Sequence, residues 1–138
     1  MQAQALTGLG EVSHRQGQHA QAAEYHRHAL ELFQGTGSRG GEAEALNGAG
    51  EALLATGQPA QARTCHTTAL TFARETGNRY QQARAHHGLA AAWDAVGQME
   101  QTRQHWQHAL DIYIDLGVPE ATQIRSSPAA ITGDRAGS

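Results

Sequence analysis

Residues 45–84 occur three times in succession. Moving this stretch back by 40 positions gives 5–44, and moving it forward by 40 gives 85–124. Eight columns hold one residue type in all three copies: Ala5/Ala45/Ala85, Gly8/Gly48/Gly88, Gly17/Gly57/Gly97, Gln18/Gln58/Gln98, Gln21/Gln61/Gln101, Ala29/Ala69/Ala109, Leu30/Leu70/Leu110 and Gly37/Gly77/Gly117. A fixed period without insertions restricts the chain to a stacked array, because one unit cannot bury its own apolar face and must be covered by the next.

Within each copy the apolar residues recur at helical spacing. The expected stripes of the first halves are Ala3, Leu6, Leu9 and Val12; Ala43, Leu46, Ala49 and Leu53; and Ala83, Leu89, Trp93 and Val96. Those of the second halves run through Ala22, Tyr25, Ala29, Leu32 and Phe33, through Ala62, Cys65, Ala69, Phe72 and Ala73, and through Met99, Trp106, Ala109, Ile112 and Tyr113. Glycines at 17, 57 and 97 suit the left-handed residue that ends a helix. Glycines at 37, 77 and 117 stop the second helices, Pro59 fits a first helical turn, and Asn78 can cap the helix after it. The prediction is six helices over 2–16, 19–35, 40–56, 59–75, 79–96 and 99–115. The fold class is all-α, a right-handed superhelical stack of three antiparallel helix pairs. Gly10, Gly50 and Ala90 facing Ala22, Ala62 and Thr102 are expected to let the paired helices approach closely.

Both ends read differently from the middle. Residues 119–125 suit a short extra turn over the last pair, and 125–138 (rich in Ser, Pro, Ala and Gly) read as a frayed, flexible tail. No polar capping helix precedes Ala3, Leu6 and Leu9. That end, with Met1, is expected to be sticky and to support self-association through the uncapped N-terminal repeat.

The pattern Leu9-Gly10, Gly17, Ala22 and Ala29, repeated as Gly50, Leu53, Gly57, Ala62 and Ala69, resembles that of tetratricopeptide repeats. The third copy keeps Leu89, Trp93, Gly97, Trp106 and Ala109 but has Ala90 and Thr102 for the usual Gly and Ala, and Ser13 stands where the first copy would carry a large aromatic. The 40-residue period is similar to the variant in kinesin light chains and in Leu-Gly-Asn-type polarity proteins. The phrases ALNGAGEALLATGQPAQA, ARETGNRYQQARAHHGLA and ALDIYIDLGVPEA resemble the C-terminal repeat region of actinobacterial transcriptional regulators of the Streptomyces antibiotic regulatory type. This resemblance implies a non-catalytic protein–protein interaction scaffold, the repeat portion of a larger bacterial regulatory protein. No GxxxxGK[ST] phosphate loop or DNA-binding part is present, so only the interaction role carries over. The competing reading is a domain that senses a small ligand or a peptide and controls a transcriptional regulator.

Formal net charge is −3, all ten basic residues are Arg, and neither a nucleic-acid footprint nor a membrane-spanning run is visible. One cysteine, Cys65, excludes an internal disulfide and suits a reducing compartment; with no secretory signal pattern, a cytoplasmic location is expected. Nine histidines raise the question of metal. His26 and His66 share a repeat column, as do His28 and His108, which places them one repeat apart rather than around one ion. Structural or surface histidine is therefore expected, with no metal and no cofactor. Cys65 has no basic neighbour to activate it, and no nucleophile-elbow motif occurs, so no catalytic residues are expected. The functional surface should be the concave face of the first helices. Partner-binding candidates there are Glu11, Arg15, Asn47, Glu51, Arg84 and His87. With no Lys and with Glu11, Glu44 and Glu51 opposing Arg15 and Arg84, a clamp for a chaperone tail is disfavoured.

Overall fold

The computed structural model describes residues 2–125, and these contain helices and turns with no strand. The helices are α1 (Gln2–Arg15), α2 (His19–Thr36), α3 (Arg39–Ala55), α4 (Pro59–Thr76), α5 (Arg79–Ala95), α6 (Met99–Leu116) and the short α7 (Glu120–Arg125). Each predicted helix is present to within a residue or so at either end. Arg125, where the expected extra turn and the expected frayed tail meet, closes α7, and the rest of that tail lies outside the described residues.

The chain turns where local chemistry tells it to. Gly57 (φ 80°) follows α3, and Gly77 (φ 70°) ends α4, both in the left-handed region that a side chain rarely adopts. Gly77 and Asn78 return their amides to Arg74 and Ala73 carbonyls, satisfying the open end of α4. Asn78 then caps α5 by accepting from the Gln81 amide at 3.0 Å, and Ser38 does the same for α3 from Gly41 at 3.3 Å.

Each helix packs on the next, with the first helices α1, α3 and α5 also touching in sequence. One core cluster joins Leu46 of α3, Ala69 and Leu70 of α4, and Ala85 and Leu89 of α5, with Trp93 and Leu30 at its edge. Leu89→Ala is expected to cost about 2 kcal/mol, the low end for a buried leucine because half-buried neighbours can settle into the space. Leu54→Ala, on the groove side, should cost clearly less; equal losses of thermal stability would show the helix phase to be wrong. A second cluster seats Ile124 of α7 against Ala83, Leu110 and Tyr113, and Trp106 Nε1 donates to the Ile124 carbonyl at 3.0 Å. The turn expected over 119–125 is thus a lid on the last pair.

Two expectations are corrected. In α1 the buried face is Ala3, Thr7, Gly10 and Ser13, while Leu9 and Val12 are 48% and 43% exposed. Their counterparts Leu89, Ala52 and Ala92 are buried beneath the second helix of the preceding repeat, and among the described residues α1 has no such helix on that side. The second helices bury the expected Ala22 and Ala29, or Ala62, Ala69 and Ala73, but His26 and His66 are buried with them, while the expected Tyr25 and Cys65 are only half-buried. Consequently the small residues have a different task from bare backbone approach. A Cβ on Gly10 would lie 2.6 Å from the His26 ring and one on Gly48 2.3 Å from it; Gly50 and Gly88 enclose His66 in the same way, at 2.5 and 2.2 Å. Each imidazole fills a flat slot between two glycines on successive first helices.

Candidate functional site

The inner faces of α1, α3 and α5 line one groove of about 760 Å³. Side chains four residues apart on a helix share a face, so Glu11 and Arg15, Glu44 and Glu51, and Tyr80, Arg84 and His87 converge there. Its far wall is Tyr113 of α6 with Glu120 and Gln123 of α7. Across the floor Arg84 grips Glu51 with two hydrogen bonds, Nε to Oε2 and Nη2 to Oε1, both 2.7 Å. The guanidinium side chain is only 12% exposed. Burial opposes both charges, yet each outweighs it for the other: the Arg84 pKa is raised, and the Glu51 carboxyl lies below its ordinary value.

The remaining charges of the groove are not neutralised this way. Glu11, Glu44 and Arg15 make no hydrogen bond or ion pair among the described residues. Burial pushes the Glu44 carboxyl above its ordinary value; nearby Arg84 opposes this, and Glu11 reinforces it. At the far wall Tyr80 donates to Glu120, its ring 5.9 Å from that of Tyr113, and His87 meets Tyr113 edge-on at 6.3 Å. Burial and the Glu120 carboxylate push the Tyr80 hydroxyl up to about 12, so it stays a donor.

Of the six expected binding residues, five border this groove and Asn47 does not. Asn47 is fully buried beneath it. Its Nδ2 donates to the Gln81 carbonyl at 3.1 Å and to Gln81 Oε1 at 2.9 Å, tying α3 to α5. Its Oδ1 lies 2.8 Å from His66 Nδ1, which ties in α4. A carbonyl oxygen can only accept, so Nδ1 carries the proton and Nε2 is left as a lone pair. That Nε2 is buried and has no partner. A smaller cavity of about 390 Å³ borders His66, Leu54, Gly88 and Ala91, and it shares His14, Glu51 and His87 with the groove. His26 has no equivalent of Asn47, because Thr7 in that column donates to its own helix at Ala3 (3.1 Å). Arg84, a partner-binding candidate, is already engaged by a carboxylate of the same chain, Glu51.

Five of the histidines lie against one another. His14 and His19 approach through Nδ1 atoms at 3.0 Å, as do His86 and His105, and His108 stacks on His86 at 4.8 Å. Among the described residues no group of three or more His, Cys, Asp or Glu is arranged to hold a metal ion. Burial pushes the Cys65 thiol up, which disfavours the reactive thiolate. Sequence reasoning missed Tyr113, Glu120 and Gln123, which enter the groove from outside the first helices, and it missed Tyr80, which lies one turn before Arg84. Tyr113 shares its column with Phe33 and Ala73, so repetition carried no signal for it.

An all-helical stack of paired helices with a lined inner groove is the architecture of tetratricopeptide repeat scaffolds. A tetratricopeptide repeat family model matches residues 1–75, more than half of the chain, and the chain belongs to that family. Among solved structures, the apo form of RapI is similar over 89% of this chain and 45% of its own, with TM-score 0.79 and 16% identity. A Rap protein complexed with competence and sporulation factor is similar over 88% of this chain and 34% of its own, with TM-score 0.83 and 20% identity. The chain thus spans less than half the length of either, and at these identities the likeness concerns the fold. No curated protein matches the chain. No helix among the described residues is long and apolar enough to cross a membrane.

Proposed function

We propose that this chain is a non-catalytic scaffold that holds a short segment of a protein or peptide partner in the groove of α1, α3 and α5. We further read it as the repeat portion of a larger bacterial regulatory protein, built from units 5–44, 45–84 and 85–124. The observation that carries the binding reading is the unneutralised charge in a lined groove. Glu11 and the half-buried Glu44 face it without partners, beside an Arg84 already committed to Glu51. Carboxylates in such a place favour a segment that brings donors or a positive charge. The structural likeness to a Rap protein complexed with competence and sporulation factor supports a scaffold that holds a partner.

The revised contact set is Glu11, Arg15, Glu44 and His87, with Glu51 and Arg84 as the floor and Asn47 as internal bracing. A partner captured from the host is to be titrated calorimetrically against the wild type and the Glu11→Ala/Glu44→Ala double variant. Affinity is expected to drop at least about tenfold, with thermal stability nearly unchanged, since surface substitutions usually stay within about 0.5 kcal/mol. Undiminished binding to the folded double variant would move the site elsewhere.

A second reading, a small-ligand sensor, draws on the 390 Å³ cavity with its unpartnered His66 Nε2. A buried acceptor without a donor is uncommon and would welcome a ligand N–H or O–H. Saturable binding of a small molecule that Ala91→Leu blocks, with Glu11→Ala/Glu44→Ala silent, would favour it.

A further inference from the structure

His14, in the last turn of α1, and His19, the first residue of α2, face each other across one turn of the chain, both half-buried. Their Nδ1 atoms lie 3.0 Å apart and their ring centroids 4.6 Å, with the planes at 63°. His86 and His105 have the same 3.0 Å between Nδ1 atoms, but their centroids stand 5.3 Å apart, with the planes at 31°. At equal nitrogen separation, the longer centroid distance means that His86 and His105 point almost head-on, as an N–H···N hydrogen bond prefers. His14 and His19 are bent away from that line, as are two imidazoles that share one ion. Backbone bonds fix the bend: the Gly17 amide donates to the His14 carbonyl at 3.0 Å, and the Gln18 amide to the Ser13 carbonyl at 2.8 Å. The turn itself has no need of histidine. The other two copies make it with Leu54 and Pro59, and with Asp94 and Met99, in the same columns.

We propose that His14 and His19 form a binding site for a divalent transition-metal ion of the copper(II) type. Two nitrogens 3.0 Å apart, each about 2.0–2.1 Å from an ion, subtend close to a right angle at it. Neighbouring ligands of a square-planar or tetragonal site, the preference of Cu(II) and Ni(II), meet at that angle. Tetrahedral Zn(II) would hold the nitrogens about 3.4 Å apart. Of the divalent ions of its row, Cu(II) also binds nitrogen donors most tightly. Two protein donors make this an open site, and both rings border the 390 Å³ cavity, which has room for water in the remaining positions. The charged groups that act on His14 from α3 and α5 are Glu51 and Arg84, which neutralise each other in their ion pair. Column sharing, which keeps His26 and His66 one repeat apart, does not bear on two residues of a single turn. The site stands independently of what the groove holds.

The test titrates the full chain with copper(II) chloride at neutral pH, by calorimetry and by electron paramagnetic resonance. The first equivalent is expected to saturate and to give an axial signal split by two nitrogens. Its affinity should fall at least about tenfold in His14→Leu and in His19→Met. Both replacements bring in residues that stand in the same columns of the other copies, so helix content and melting should match the wild type by circular dichroism. His105→Ala, which breaks the head-on pair, should leave the first equivalent unchanged. No saturable binding, a first equivalent that survives in folded His14→Leu and His19→Met, or one weakened equally by His105→Ala would overturn the proposal.

Discussion

Acidification from neutral pH to about pH 4 is expected to unfold the array cooperatively. Burial holds the imidazoles of His26, His66 and His86 at about 4, against an ordinary value of 6.5. Smaller influences are Arg84 and Glu51, in opposite directions, on the first two, and His105 and His108 on the third, where a second positive ring would be repelled. Above the unfolded value of 6.5 neither state binds these protons, and nothing is lost. Between 6.5 and about 4 the unfolded chain takes up protons that the folded chain refuses, so stability falls with pH through that window. The gap corresponds to about 3 kcal/mol for each buried imidazole. The three together approach the whole stability of an ordinary domain, roughly 5–15 kcal/mol. Glu51 adds to the loss lower down, because its depressed carboxyl contributes stability above the ordinary value of 4.5 that disappears as it protonates. The check is the urea midpoint by far-ultraviolet circular dichroism at a series of pH values. A midpoint that stays level down to pH 4.5 would mean that the rings are not held neutral by burial.

The same Gly-to-Ala exchange should have opposite signs at equivalent positions of one column. Gly48→Ala and Gly88→Ala are each expected to destabilise by about 1–3 kcal/mol, because the new methyl meets a ring already closed in on its other face by Gly10 or Gly50. The two sites touch different rings, so a double variant should lose nearly the sum and come close to the limit of folding. Gly8→Ala meets open space and removes a glycine from a helix, so it should stabilise by up to about 1 kcal/mol. Thermal melts of the three variants decide the matter. Equal effects at positions 8, 48 and 88 would show that the glycines answer to helix propensity and not to the imidazoles.

How far the residues announced this arrangement depended on how local the physics was. Helix ends were legible because a left-handed glycine, a capping Asn78 or a first-turn Pro59 acts within a few residues. The groove's inner columns were legible too, since Glu11, Arg15, Glu51, Arg84 and His87 follow from helical spacing and the order of the stack. What lies one layer deeper was not. Asn47 and His87 share a column, yet Asn47 turns inward to bridge Gln81 and His66, because a buried imidazole offered it a donor and α5 offered two acceptors. Arg84 and Glu51 are 33 residues apart, and only the closeness of α3 to α5 makes them partners.

By itself the sequence determined the period, the helix boundaries and the stacking of like on like, because repetition forces each unit to meet its neighbour in the same way. Tertiary structure alone decided that the glycine columns are slots for His26 and His66, which needs the distance between helices belonging to different repeats. It also decided that Leu9 and Val12 stay exposed on α1 while Leu89, Ala52 and Ala92 in the same columns are buried, since burial depends on what lies across the face and not on the residue that forms it.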